Sequence, residues 1–143
     1  SNYSTVVSQN HERAGAEILT QFMRDARALT EVWAKKRGHP IQLGARVPAD
    51  PDAAIGLGMD GVRWACEGLI DLLVPTPFWA TADFDIPVEE WKKRIGNATA
   101  HVKIAPGTEV LLRAYPGGEA IVNDLASVYG FASCAWARGA DAI

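Results

Sequence analysis

The sequence predicts a parallel α/β fold, namely part of a (β/α)8 TIM barrel built from βα units. Three observations predict it. Helical patterns alternate with short apolar strands, and the helix-to-strand connections are short. Strand starts near Ile41, Leu69, Val102 and Ala140 recur about every 33 residues, so eight units make about 264, near the ~250 of a whole barrel. A doubly wound sheet has similar spacing, but no G-x-G-x-x-G follows any strand, and Pro48, Pro75 and Pro106 mark abrupt exits into loops. The chain opens on a helix and closes on a strand start. It therefore reads as one partial domain over 1–143, the C-terminal half of a barrel. Its open strand edges predict a homo-oligomer or a missing barrel half as partner.

The first helical pattern opens at Ser8 or Asn10. Ile18, Leu19, Phe22, Ala26, Leu29, Val32 and Trp33 form one apolar stripe that predicts a buried face. Lys35-Lys36-Arg37 suits the negative end of the helix dipole, and Gly38 stops the helix. Residues 41–47 read as a strand. Asp60 caps a short helix that Gly68 ends, and the apolar run 69–74 reads as a parallel strand covered on both faces. Pro87 opens a third helix, with Glu89 and Glu90 near its positive end. Residues 102–105 predict a strand. A fourth helix is expected from about Glu119 to Arg138, with Ile121, Leu125, Val128, Ala132 and Trp136 on its stripe. Gly139 ends it, and 141–143 begins another strand.

Composition narrows the function classes. The 143 residues carry 14 Lys+Arg against 17 Asp+Glu, a net charge of −3, and 48 % are hydrophobic. That apolar share excludes disorder, and the absence of a basic cluster argues against nucleic acid and anionic membrane as partners. No apolar run approaches the roughly 20 residues of a membrane span, and no signal peptide is visible. Cys66 and Cys134 are isolated, which excludes a disulfide scaffold. His11, His39 and His101 are not at metal-ligand spacing, so neither metal nor cofactor is expected.

Several phrases carry a family likeness: residues 40–48 (PIQLGARVP), 68–75 (GLIDLLVP), 87–91 (PVEEW), 106–110 (PGTEV) and the closing 139–143 (GADAI). Together they resemble the glycoside-hydrolase-like barrel proteins found in many bacterial genomes, most of which have no assigned substrate. The resemblance spans nearly the whole chain but only the later part of that barrel, its fifth strand to the start of its eighth. It implies a nucleophile carboxylate at the end of strand seven, the place held here by Glu109. The acid/base partner would end strand four, which precedes this sequence.

Glycosidic cleavage needs two carboxyl groups flanking the bond. Glu109 follows a strand and a Pro-Gly turn, where barrel active sites form; it also reads as a surface residue or a partner of Arg113. Arg46 ends a strand and suits a carboxylate or a sugar hydroxyl, or a structural ion pair. The loop from Thr76 to Asp85 is the most informative. Phe78 and Trp79 suit stacking on a sugar ring, Thr76 and Asp83 add polar groups, and Asp85 also reads as a helix cap. Trp33, Trp64, Trp91 and Trp136 read as packing residues. The turn 115–118 (YPGG), placed before the last helix, is a weak phosphate site and reads more simply as a plain loop.

The leading expectation is therefore a carbohydrate ligand and hydrolysis through Glu109, with Arg46 positioning and with Phe78 and Trp79 as a platform. This chain alone would be inactive unless Asp50, Asp83 or Asp85 supplies the second carboxylate. The alternatives are a non-catalytic carbohydrate-binding or structural barrel, or a phosphosugar-binding one.

Overall fold

The structure, a computed structural model, describes residues 2–77, 83–113, 115 and 117–143, with side chains from residue 14 onward. The elements run α1 (Asn2–Arg37), β1 (Gly44–Pro48), α2 (Pro51–Gly56), α3 (Gly61–Cys66), β2 (Leu72–Thr76), α4 (Val88–Ile95), a 3-10 turn (Gly96–Ala100), β3 (Lys103–Ile104), β4 (Leu111–Arg113), β5 (Ala120–Val122) and α5 (Leu125–Ala137).

The strands β1, β2 and β3 form a parallel sheet in that order, and β4 and β5 form a separate antiparallel pair. The expected partial (β/α)8 barrel is thus corrected to a small mixed α/β domain. Among the described residues the sheet does not close. The pairing of β2 with β3 covers only two residues, and after β3 the chain enters an antiparallel pair instead of a helix. A period of about 33 residues counts elements but is blind to strand direction, length and partner. The fourth helix is correspondingly shorter than expected. Residues 120–122 pair with β4, and Asp124 then caps α5 by accepting from Ser127 N–H at 2.7 Å.

Strand alternation creates the core. Ala45 and Val47 of β1, Leu73 of β2 and Ile104 of β3 turn to one face, where α3 and α4 cover them with Trp64, Trp91, Val88 and Ile95. Gly61 is required there, since a Cβ would stand 2.8 Å from Leu73 Cδ1. Trp91 is fully buried and donates its indole N–H to Ala49 O at 2.7 Å; Trp64 donates to Thr20 Oγ1 at 3.0 Å. The opposite face is only partly covered: Leu72 and Val74 are half-buried and Arg46 is exposed. The run 69–74 is therefore covered on one face, where its composition predicts two.

Helix ends follow local chemistry. Gly38, Gly68 and Gly139 all adopt positive φ, after α1, α3 and α5 respectively. Asp60 accepts from Arg63 N–H at 2.9 Å, as its position predicts. Helix α2 has no counterpart among the expected elements; its signal is Asp50-Pro51, an N-cap accepting from Ala53 N–H followed by Pro in the first turn.

The long helix α1 departs most from expectation. Thr20, Met23, Arg24 and Arg27 face the body of the domain, while Ile18, Phe22, Leu29, Val32 and Trp33 lie outward. Polar reach explains the inversion. Arg27 donates to Leu69 O at 3.0 Å and to Asp71 Oδ2 at 2.8 Å, and Arg24 forms a two-pronged contact with Glu67. Trp33 is thereby 44 % exposed, and Trp136 on α5 is 54 % exposed, contrary to the packing role expected of both.

Candidate functional site

Parallel sheets bind ligands outside the carboxyl ends of their strands, because the loops there are released together from a rigid frame. Here that end is built by Arg46 to Pro48, by Thr76, and by the segment 105–109 after β3. The geometry rests on a close approach of backbone to side chain. Gly107 N–H donates to Pro75 O at 2.9 Å, and a Cβ on Gly107 would stand 2.6 Å from Thr76 Oγ1. Only glycine lets the third segment lie this tightly on β2.

From that anchor the chain carries Glu109 back toward β1, where Arg46 Nη2 donates to Glu109 Oε1. The residues are 63 apart in sequence, and their side chains are 49 % and 26 % exposed. Asn123 braces the same segment from beyond β5. Its Nδ2 donates to Glu109 O at 3.1 Å and its N–H to Val110 O at 2.8 Å. Nothing in the sequence singled out Asn123; only the β4–β5 pairing brings it there.

The remaining candidates are placed as follows. Thr76 ends β2 but is buried, and its hydroxyl donates to Val74 O at 3.3 Å. Its part is to seat Gly107. Asp83 accepts from Asp85 N–H at 3.0 Å, shaping a local turn. Asp85 pairs with Arg138, and α4 has no side-chain cap, so the capping role read for Asp85 is replaced by an ion pair. Asp50 is committed to capping α2. Phe78 and Trp79 lie outside the described residues. Arg113 donates to Gly118 O, and among the described residues the cation on Glu109 is Arg46.

The turn around Gly117 and Gly118 follows β4 and precedes β5, and it does not sit at a helix start. Gly118 N–H donates to Tyr115 O at 3.0 Å and is used by the turn itself. Gly118 N–H is therefore not free to bind an anion, and the turn does not gain the helix dipole that the phosphate reading drew on. Among the described residues no group of three or more His, Cys, Asp or Glu is placed to hold a metal, and no helix is long and apolar enough to cross a membrane.

Chemically, the carboxyl end offers a carboxylate acceptor beside a guanidinium donor, half open to solvent and braced from β1, β2 and Asn123. No family model and no curated protein matches this sequence.

Proposed function

We propose that this chain binds a carbohydrate at the carboxyl end of its parallel sheet, through Arg46 and Glu109, and does not by itself hydrolyse it. The observation that supports this reading is the Arg46–Glu109 contact, which joins two strand-end segments 63 residues apart at an accessible place. A sugar diol presents neighbouring hydroxyls that each donate and accept, and a carboxylate beside a guanidinium is complementary to that pattern. The likeness of residues 40–48, 68–75 and 106–110 to glycoside-hydrolase-like proteins supports the ligand class.

Binding is favoured over cleavage by the engagements of the aspartates that are candidates for a second carboxylate. Hydrolysis requires a second carboxyl group across the bond. Asp50 caps α2, Asp83 accepts within its own turn, and Asp85 pairs with Arg138, and none of these contacts is shared with Arg46 or Glu109.

A calorimetric titration with a panel of neutral and acidic oligosaccharides tests the proposal, with an aryl-glycoside assay run beside it. Saturable binding is expected, weakened at least tenfold by Glu109→Gln and by Arg46→Leu, with no aryl-alcohol release. Absence of binding across the panel, or binding indifferent to both substitutions, overturns it. Turnover that Glu109→Gln abolishes would replace the binding reading with the hydrolytic one.

A further inference from the structure

The outward stripe of α1 is the largest feature that the ligand site leaves unexplained. Ile18, Leu19, Phe22, Leu29, Val32 and Trp33 are between 37 % and 71 % exposed. They cover about four helical turns, on the side opposite Thr20, Met23 and Arg27. Such a row on a helix already docked by its polar side has the character of an interface core.

Its arrangement identifies the occupant. About a two-fold axis between residues 25 and 26, an antiparallel copy of α1 sets Ile18 opposite Trp33, Leu19 opposite Val32, and Phe22 opposite Leu29. Every exposed large apolar residue of the stripe then meets another, which is the self-complementarity that a two-fold interface demands. The area agrees. At these exposures the six residues present roughly 600 Å² per chain, the main part of the ~800 Å² a side of a standard interface. An open hollow of about 340 Å³ lined by Leu29, Thr30, Trp33, Arg37 and Ile41 lies at one end of the stripe, where the partner's Ile18 would enter. The geometry points to a homodimer formed by antiparallel packing of α1 on α1, independent of the carbohydrate reading.

Asp25, which accepts from Gln21 Nε2 at 2.9 Å, lies on the midline, and the proposed two-fold would bring its carboxylate close to its counterpart. Adding charge at the ends of the stripe and removing it at the midline should therefore move association in opposite directions.

Sedimentation equilibrium on the 143-residue chain tests it, with far-UV circular dichroism confirming that each variant is folded. A species of twice the 15.4 kDa chain mass is expected. Ile18→Lys and Trp33→Glu should each weaken association on the order of 100-fold, since each sets a charge against an apolar partner. The double variant should recover most of the loss, because residue 18 of one copy meets residue 33 of the other. Asp25→Asn should tighten the dimer several-fold, and Trp136→Glu on α5 should leave it unchanged. A chain monomeric at every concentration overturns the proposal. So does a dimer that Trp136→Glu dissociates while the α1 variants persist, or a double variant no better than the singles.

Discussion

At the amino end of the parallel sheet, carboxylates close the fold; at its carboxyl end, a carboxylate is left within reach of solvent. Asp71 N–H donates to Leu43 O while its Oδ2 accepts from Leu43 N–H at 2.7 Å and from Arg27 at 2.8 Å. Asp141 repeats the device one strand further along. Its N–H donates to Ile104 O, its Oδ2 accepts from Ile104 N–H at 2.9 Å, and Lys92 binds its Oδ1 at 2.9 Å. In both, a positive-φ glycine ends a helix, and the aspartate two or three residues later clasps the neighbouring strand. Glu109, by contrast, has among the described residues a side-chain contact to Arg46 alone. Carboxylates bound to backbone N–H groups hold strands in register, whereas one bound to a half-exposed guanidinium can exchange that contact for a ligand.

Breaking the clasp should cost most. Asp71→Ala strips Leu43 N–H of its acceptor and the mostly buried Arg27 of its carboxylate, leaving it Leu69 O, and we expect a loss of about 3 kcal/mol. The measurement is a urea midpoint shift at unchanged slope. Gly107→Ala drives a Cβ onto Thr76 Oγ1 and should cost about 2 kcal/mol. The double variant with Thr76→Ala should cost less than the two separate losses together, as a double-mutant cycle would show.

Asp141 sharpens the comparison through pH. Burial pushes its carboxyl up, but the Lys92 ammonium and the Ile104 N–H outweigh burial and hold it below the usual carboxylate range. A depressed folded-state value means that the stabilisation is present above the unfolded value of about 3.9 and is lost as pH falls through the lower folded one. Asp141→Asn should therefore cost about 1 kcal/mol at neutral pH and flatten the decline in stability below about pH 4. Smallest of all, Glu109→Gln should change stability by less than about 0.5 kcal/mol, because the pair it belongs to is exposed and Gln still accepts from Arg46. A large loss in that variant would place Glu109 with the structural carboxylates.

Much of this was legible from local chemistry. Gly38, Gly68 and Gly139 punctuate the helices because a residue after a helix end needs positive φ, a property of the backbone alone. Asp60 announces α3 by the same kind of short-range logic. The pair β4 and β5 was not legible, since residues 119–138 contain a helical period that overruns Ala120, Ile121 and Val122, whose partners in β4 decide their state. For the candidate site, Arg46 and Glu109 were each marked by standing after a strand. Their contact was not, and Asn123 gave no sign at all.

By itself, then, the sequence determined where helices stop, that strands near Leu43, Leu73 and Ile104 alternate with them, and that α1 carries an apolar stripe. These depend on φ preferences and on side-chain period, which act over a few residues. Tertiary structure alone decided that the strands stop at a three-membered parallel sheet beside an antiparallel pair, and that α1 docks by Arg24 and Arg27 with its stripe turned away. A hydrophobic period states that a face gains from being covered; which surface covers it depends on partners distant in the chain, and on whether their polar groups can be satisfied at the same time.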